Sequence, residues 1–392
     1  MFARLAWLAL GTFAIGTETW VIAALLPPIA GDLSIQVATA GALVTVFALA
    51  YAIGSPVLAV VAGSIDRKWL LTSCLGVFTL ANIGAAEAQT FTQLLIARVL
   101  MALVSGLYVP TASAVATALV KPEQRGRAIS IVIGGMAVAV ALGAPLGALI
   151  GAMSGWRMTF WLVAVLGAIA IMGLLVGLPR DLPRPVTTLG QRLAAARRPE
   201  VLHGLSVTLL FATGAFTVFT YLALLLAQAA GLDPRGVSAT LFVFGVSAAL
   251  GNAAGGTGSD RFGPLRTARA SLVALVAVFA VIALAANTLP VSQAAPVIVV
   301  SVGVWGLVAW CLYAALMANL VRLAPELAMV TLSLNASTFY FGVALGSFVG
   351  SLVLPLGVGK LAWVAAALEI AALAVLLFER RPVPRMAEED AA

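Results

Sequence analysis

The chain has 392 residues, of which 62% are hydrophobic and only 9% charged, and it carries a net charge of +7. That balance excludes an ordinary soluble domain, because apolar stretches long enough to cross ~30 Å of hydrocarbon recur from end to end. Cys74 and Cys311 both sit inside apolar segments and His203 stands alone beside a Pro-Glu turn, so no disulfide framework, metal site or cofactor is expected.

In chain order, the opening stretch Met1 to Pro27 imitates a signal peptide, with Arg4 ahead of an apolar run. Glu18 interrupts that run and Leu-Leu-Pro-Pro follows it where a small-residue cleavage site belongs. It is therefore read as a retained first spanning helix, Leu5–Leu26. Further spans are expected at Ala40–Ala62, Leu70–Ala88, Phe91–Leu119, Ala128–Met153 and Met158–Leu178. A polar, proline-containing connector, Pro179–His203, separates these from Gly204–Ala229, Val237–Gly256, Thr267–Ala286, Pro296–Val321, Leu327–Leu354 and Leu361–Phe378. The expected division is a first six-helix bundle over 1–178, a cytoplasmic linker over 179–203 and a second six-helix bundle over 204–392. The acidic tail Glu388, Glu389, Asp390 is too short to form a domain.

Basic residues favour the cytoplasmic side of a membrane. With both termini placed inside, only Arg157, Arg235 and Lys360 of the 22 basic residues fall outside, and Arg98 lies within a span. The remaining positive charge lies in loops beside an anionic leaflet, which accounts for the net charge without a nucleic-acid partner.

The chain also repeats itself. An offset of 197 residues brings Val46-Phe47 onto Val243-Phe244 and Gly54 onto Gly251, and an offset of 199 aligns Gly143, Gly147 and Gly151 with Gly342, Gly346 and Gly350. Glycines four apart share one helical face and admit a close neighbour. Such faces serve static packing, or a moving interface between two halves; matched triplets in both halves, with Pro145 inside the first, point to the interface.

Six plus six helices, a central connector and this repeat resemble the major facilitator superfamily. The resemblance implies an all-α membrane protein with twelve transmembrane helices in two pseudo-symmetric six-helix bundles. The stretch Gly256-Thr-Gly-Ser-Asp260-Arg261-Phe-Gly263-Pro-Leu-Arg266, read as a loop, resembles the superfamily's signature after the second helix of each half. The resemblance implies a cytoplasmic gate, carried by Asp260, Arg261 and Arg266, with Asp66, Arg67 and Lys68 as the first-half copy three residues out of register. For any one of them, a charged turn that merely stops two helices is the plainer reading.

Two further stretches are similar to the twelve-helix drug:proton antiporters, in particular the arabinose and sugar efflux permease branch. They are Gly16-Thr-Glu18-Thr-Trp-Val-Ile-Ala-Ala-Leu-Leu-Pro27 and Asn335-Ala-Ser-Thr-Phe-Tyr340-Phe-Gly342. Arg98 matches the arginine of that family's fourth helix, and Gly143-Ala-Pro145-Leu-Gly147 approximates its antiporter motif without the Gly-Pro pair.

Charged groups deep in a span are costly and so usually serve a partner or a cavity. Glu18 lies eight residues, ~12 Å, before the end of the first span and Arg98 seven residues, ~10 Å, into the fourth, so their depths agree. They either pair directly or meet through water and substrate. Glu369, in the last span, is read as structural. Tyr108, Phe219, Tyr221, Trp310, Asn335 and Tyr340 are candidates for lining a substrate cavity. The function implied is proton-coupled efflux of a small molecule, a drug or sugar-like metabolite, by alternating access. Glu18 and Arg98 would carry the proton coupling, in a monomer embedded in the bacterial inner membrane. Proton symport or facilitated uptake is the alternative. A non-transporting membrane sensor and an intramembrane enzyme are remote alternatives; against the enzyme, the spans hold no His-Glu-x-x-His and no Gly-x-Ser-x-Gly elbow.

Overall fold

In hydrocarbon every backbone N–H and C=O must be satisfied within its own segment, so apolar spans of this length fold as helices. The computed structural model describes residues 2–179 and 198–378. Twelve helices among them are long and apolar enough to cross a membrane. They are α1 (Arg4–Asp32), α2 (Val37–Ser64), α3 (Arg67–Ala86), α4 (Phe91–Ala118), α5 (Pro122–Ser154) and α6 (Trp156–Gly177), followed by α7 (Pro199–Phe219), α8 (Pro234–Phe262), α9 (Pro264–Thr288), α10 (Val291–Leu323), α11 (Val330–Leu356) and α12 (Val358–Leu377). The membrane face on which α1 begins and α7 begins is here the linker face; the opposite one is the far face.

Several ends move from where hydropathy put them. The first helix does not stop at Leu26 but continues through Pro27 and Pro28 to Asp32. Its extra turns are held there because Asp32 Oδ2 accepts from Arg157 Nη1 at 2.6 Å and from Trp156 Nε1 at 3.3 Å. The stretch from Gly256, expected as a loop, is helical to Phe262; the chain then turns at Gly263, whose φ of 88° suits a residue without Cβ. At the linker, α7 already begins at Pro199, so His203 lies near its start rather than in a loop. A short break at Thr220–Tyr221 separates α7 from its extension Leu222–Ala229, and α5 carries a π-bulge over Ala139–Gly143. The bulk of the expected linker, and the acidic tail, lie outside the described residues.

The two bundles repeat one packing plan. In the first, α1 packs on α5 and α6, α2 on α4, and α3 on α4 and α6; in the second, α7 packs on α11 and α12, α8 on α10, and α9 on α10 and α12. Each pairing recurs six helices later. Across the bundles α2 meets α11 and α5 meets α8, again a matched pair.

The glycine triplets do not occupy those seams, contrary to the reading as an interface between halves. A side chain on Gly143 would meet Thr17, on Gly147 Val21 and on Gly151 Leu25, all on α1. A side chain on Gly342 would meet Ala212, on Gly346 Thr213 and on Gly350 Tyr221, on or just beyond α7. The open faces therefore receive the first helix of their own bundle, where close backbone approach welds α1 to α5 and α7 to α11. Pro145 of that set bonds across to the other bundle: its carbonyl accepts from Ser238 Oγ of α8 at 2.7 Å. At the matching seam Ser347 Oγ of α11 donates to the Gly41 carbonyl of α2 at 2.9 Å.

Candidate functional site: a buried ion pair beside an aromatic seam

Three helices of the first bundle build the charged core. Glu18 on α1 and Arg98 on α4 are each about 1% exposed, and Arg98 Nη1 donates to Glu18 Oε1. The Arg98 Nε donates to the Leu43 carbonyl of α2 at 3.2 Å, and its guanidinium carbon lies 4.1 Å from the Phe47 ring centroid. Leu43 and Phe47 are four apart, so one face of α2 supplies both the carbonyl and the ring. A charge taken out of water needs partners, and here a carboxylate, a carbonyl and a ring face are supplied. Of the two readings open for Glu18 and Arg98, direct pairing is what the structure contains. The second carboxylate oxygen, Glu18 Oε2, is buried and has no hydrogen-bond partner among the described residues.

Rings carry this core to the second bundle. Phe47 lies 6.5 Å from Tyr340 of α11, and Tyr340 stacks on Tyr51 of α2 at 3.7 Å. Two residues beyond Glu18, Trp20 sits 5.7 Å from Phe216 and 5.2 Å from Phe219 on α7 and 5.9 Å from Trp310 on α10. Tyr313 and Phe339 extend the cluster. These contacts, with the Gly41–Ser347 and Pro145–Ser238 bonds, lie between the far face and the level of Tyr51, ten residues or ~15 Å short of Val61 in the last turns of α2 on the linker side. Beyond that level Ile53, Val57 and Val61 of α2 are exposed.

Of the residues read as cavity candidates, Phe219, Trp310 and Tyr340 come together in this ring cluster. The other three are struts. Tyr108 is fully buried and its hydroxyl donates to the Leu8 carbonyl of α1 at 3.2 Å, while Tyr221 donates to the Ser347 carbonyl at 3.0 Å. Asn335 accepts from Thr208 Oγ1 at 2.8 Å and donates to the Met317 sulfur at 3.3 Å, tying α11 to α7 and α10. A hydroxyl or amide inside a membrane seeks a partner, and here neighbouring helices supply it. Trp20, Phe47, Tyr51, Phe216, Tyr313 and Phe339 escaped the sequence reading. Proximity offered two clues, since Trp20 is two residues from Glu18, and Phe47 and Tyr51 share one helical face.

At the linker face the charged turns differ between the bundles. Asp66 caps α3, accepting from the Lys68 and Trp69 amides at 3.0 and 3.2 Å. Lys68 Nζ donates to the Leu175 and Leu178 carbonyls at 2.7 Å each, closing the end of α6, and Arg67 beside it is buried. A carboxylate at a helix start and an ammonium at a helix end both favour the helix dipole. In the second bundle Asp260 lies in the last turn of α8, Arg261 stands 5.3 Å from the Phe262 ring, and Arg266 is in the first turn of α9. Glu369 is fully buried on α12 against Gly214 of α7, and neither of its carboxylate oxygens has a partner among the described residues. No group of three or more metal-ligating side chains occurs among the described residues.

Comparison with known proteins gives the same architecture. Residues 8–347 match the Major Facilitator Superfamily. The MFS-type transporter YbcL of Bacillus subtilis is 30% identical over 379 residues, covering 96% of this chain and 95% of YbcL. A chloramphenicol resistance protein of Streptomyces lividans is 33% identical over 258 residues, 65% of this chain and 66% of that protein. Among solved structures, the nucleoside transporter NupG superposes with a TM-score of 0.75 at 15% identity, over 96% of this chain and 99% of NupG, a likeness of fold. Twelve spans in two like-built bundles, and full-length relatives of this kind, make the chain a multi-pass membrane transporter of the major facilitator superfamily.

Proposed function

We propose that the chain exports a small molecule in exchange for protons by alternating access, with Glu18 as the proton carrier and Arg98 as its switchable counter-charge. The observation that carries this reading is the buried Glu18–Arg98 pair, joined through Phe47 to the inter-bundle Tyr51–Tyr340 stack. Protonating the Glu18 carboxylate removes the negative partner while Arg98 keeps its charge. The guanidinium then has reason to leave α1, and the Phe47 ring packed on it shifts the seam. Deprotonation restores the pair. A titratable group whose burial and partner change between two states can load on one side and release on the other.

Export is supported by the chloramphenicol resistance relative and by the antiporter-like segment at Gly143–Gly147. The distribution of basic residues supports placing both termini and the linker, taken as 179–203 between bundles 1–178 and 204–392, in the cytoplasm. The far face is then periplasmic, and the closed far seam belongs to a state open to the cytoplasm. We assign the charged turns, Asp66 with Arg67 and Lys68 and Asp260 with Arg261 and Arg266, to the cytoplasmic gate, and a single chain as the working unit.

Reconstituted vesicles with an imposed pH gradient test this. Candidate substrates include amphenicols, nucleosides and sugars. Substrate movement against its gradient should appear in the wild type and vanish in Glu18→Gln, while substrate exchange without a pH gradient persists. Driven flux that Glu18→Gln leaves unchanged would remove the proton from Glu18, and flux running with the proton rather than against it would establish symport.

A further inference from the structure

The α5–α8 seam carries a feature that transport does not use. Leu142, Leu146 and Met153 of α5 and Phe242 of α8 line an open groove of about 540 Å³, floored by Pro145 and Ser238, the two residues that bond across the bundles. Leu146 is 52% and Met153 69% exposed, and α5 and α8 are membrane-spanning, so the groove faces hydrocarbon rather than water. From Leu142 to Met153 is eleven residues, ~17 Å of helix, close to the depth of one leaflet of a ~30 Å core.

The one charged residue of the lining is Arg235, in the first turn of α8 at the far face. It is exposed and has no ion pair among the described residues, whereas Arg157, another far-face cation, is paired with Asp32. Its neighbour Asp233 is engaged by its own helix, accepting from the Gly236 amide at 2.8 Å. An unpaired guanidinium at headgroup depth, above an apolar channel one leaflet deep, matches a phosphate joined to an acyl chain. The planar fork binds phosphate through two parallel hydrogen bonds.

We propose that this groove is a phospholipid site, taking one acyl chain between α5 and α8 with the lipid phosphate on Arg235. Both bundles contribute walls, so the site is complete only while Ser238 rests on Pro145. A bound lipid therefore favours the state with the far side closed. The site stands apart from proton coupling and holds whether or not Glu18 carries a proton.

Native mass spectrometry of the full-length protein, titrated with palmitoyl-oleoyl phosphatidylglycerol, the matching phosphatidylethanolamine and the matching diacylglycerol, tests the assignment. Wild type should retain one molecule of either phospholipid about tenfold more tightly than Arg235→Ala does, the loss expected of a charged hydrogen-bonding partner. Arg235→Lys should fall between them, and diacylglycerol should bind wild type no better than phospholipid binds Arg235→Ala. Equal retention by wild type and Arg235→Ala, or tight diacylglycerol binding, overturns the phosphate contact; binding confined to phosphatidylglycerol overturns the fork in favour of net charge. For the conformational arm, spin labels at Gln89 and Ser292, with Cys74 and Cys311 changed to serine, should report a shorter inter-bundle distance on adding phosphatidylglycerol. A distance distribution indifferent to lipid overturns that part.

Discussion

Tyr51 of the first bundle lies nearly flat on Tyr340 of the second, with ring centroids 3.7 Å apart and planes 22° from parallel. At the matched seam the corresponding depth is closed differently. Gly245 of α8 abuts the backbone of Val140 and Ala141 of α5, and Ala141 stands 199 residues before Tyr340, the same offset that relates the glycine triplets. One seam is thus backbone on backbone and the other ring on ring. A stacked pair is worth ~0.5–1.5 kcal/mol beyond its burial, and in the proposed alternating-access cycle it exists only while the far side is closed. We predict that Tyr51→Ala shifts the population toward the far-open state by about two- to tenfold, while Tyr51→Phe, which keeps the ring, stays close to wild type. Single-molecule energy transfer between labels on the two bundles reads the populations directly.

The Glu18–Arg98 pair predicts an asymmetry between single and double variants. Removing one partner of a buried ion pair leaves an uncompensated charge and costs ~3–5 kcal/mol, whereas replacing both by neutral groups of similar size can be close to neutral. Arg98→Met should therefore lower thermal stability sharply, and Glu18→Gln combined with Arg98→Met should recover most of it. Additive losses in that double-mutant cycle, followed by thermal unfolding in detergent, would show that the two side chains do not depend on one another.

These residues show what the sequence made legible. Glu18 and Arg98 stood out because a charge inside an apolar run is costly, so its presence alone signals a use. Tyr51, Phe47 and Trp20 did not, because an aromatic ring in a membrane helix costs nothing and periodicity cannot name its partner. The glycine triplets announced a close-packed face but not which helix fills it; α1 and α7 do, within each bundle. Helix ends drifted where the signal changes meaning. Gly256–Phe262 is polar and glycine-rich enough to look like a loop, yet past the hydrocarbon a helix keeps its internal hydrogen bonds in water just as well. The twelve spans themselves were legible throughout, because hydropathy measures the one property the bilayer demands.

Those glycine faces carry their own prediction. A Cβ on Gly346 would lie 3.0 Å from the Thr217 nitrogen and 3.1 Å from the Phe216 carbonyl carbon, backbone atoms that cannot step aside. Gly256 of α8 has nothing within 4 Å. Gly346→Ala should destabilise by ~1–3 kcal/mol, the usual cost of overpacking, and Gly346→Leu should block assembly, while Gly256→Ala should be neutral or slightly stabilising through helix propensity. The monodisperse fraction of fluorescent fusions on size exclusion, before and after heating, ranks the three.

Lys68 offers a test at the linker face. Its ammonium binds the last carbonyls of α6 from the start of α3, so it fastens two helices of one bundle. Lys68→Ala should cost ~1.5–3 kcal/mol if both bonds stay desolvated and less as water replaces them. Lys68→Arg should restore part of the loss. A melting temperature that does not move would mean that water serves the α6 carbonyls equally well.

The two serines at the seams give the sharpest test of rocking motion. Ser347 Oγ reaches the Gly41 carbonyl and Ser238 Oγ the Pro145 carbonyl, one bond at each seam, both near the far face. Each is worth only ~0.5–1.5 kcal/mol, weak enough to break in every cycle yet sufficient together to bias which face is closed. Ser347→Ala and Ser238→Ala should each favour the far-open state a few-fold, and the double variant by the product of the two, because the seams lie on opposite sides of the ring cluster and share no partner. A covalent link is stricter. Cysteines at positions 51 and 340, in a background without Cys74 and Cys311, replace two rings that face each other across this seam; a short bifunctional thiosulfonate should join them and stop transport, which reductant restores. Transport that continues through the cross-link would mean that α2 and α11 stay together throughout the cycle, and that the bundles move about some other seam.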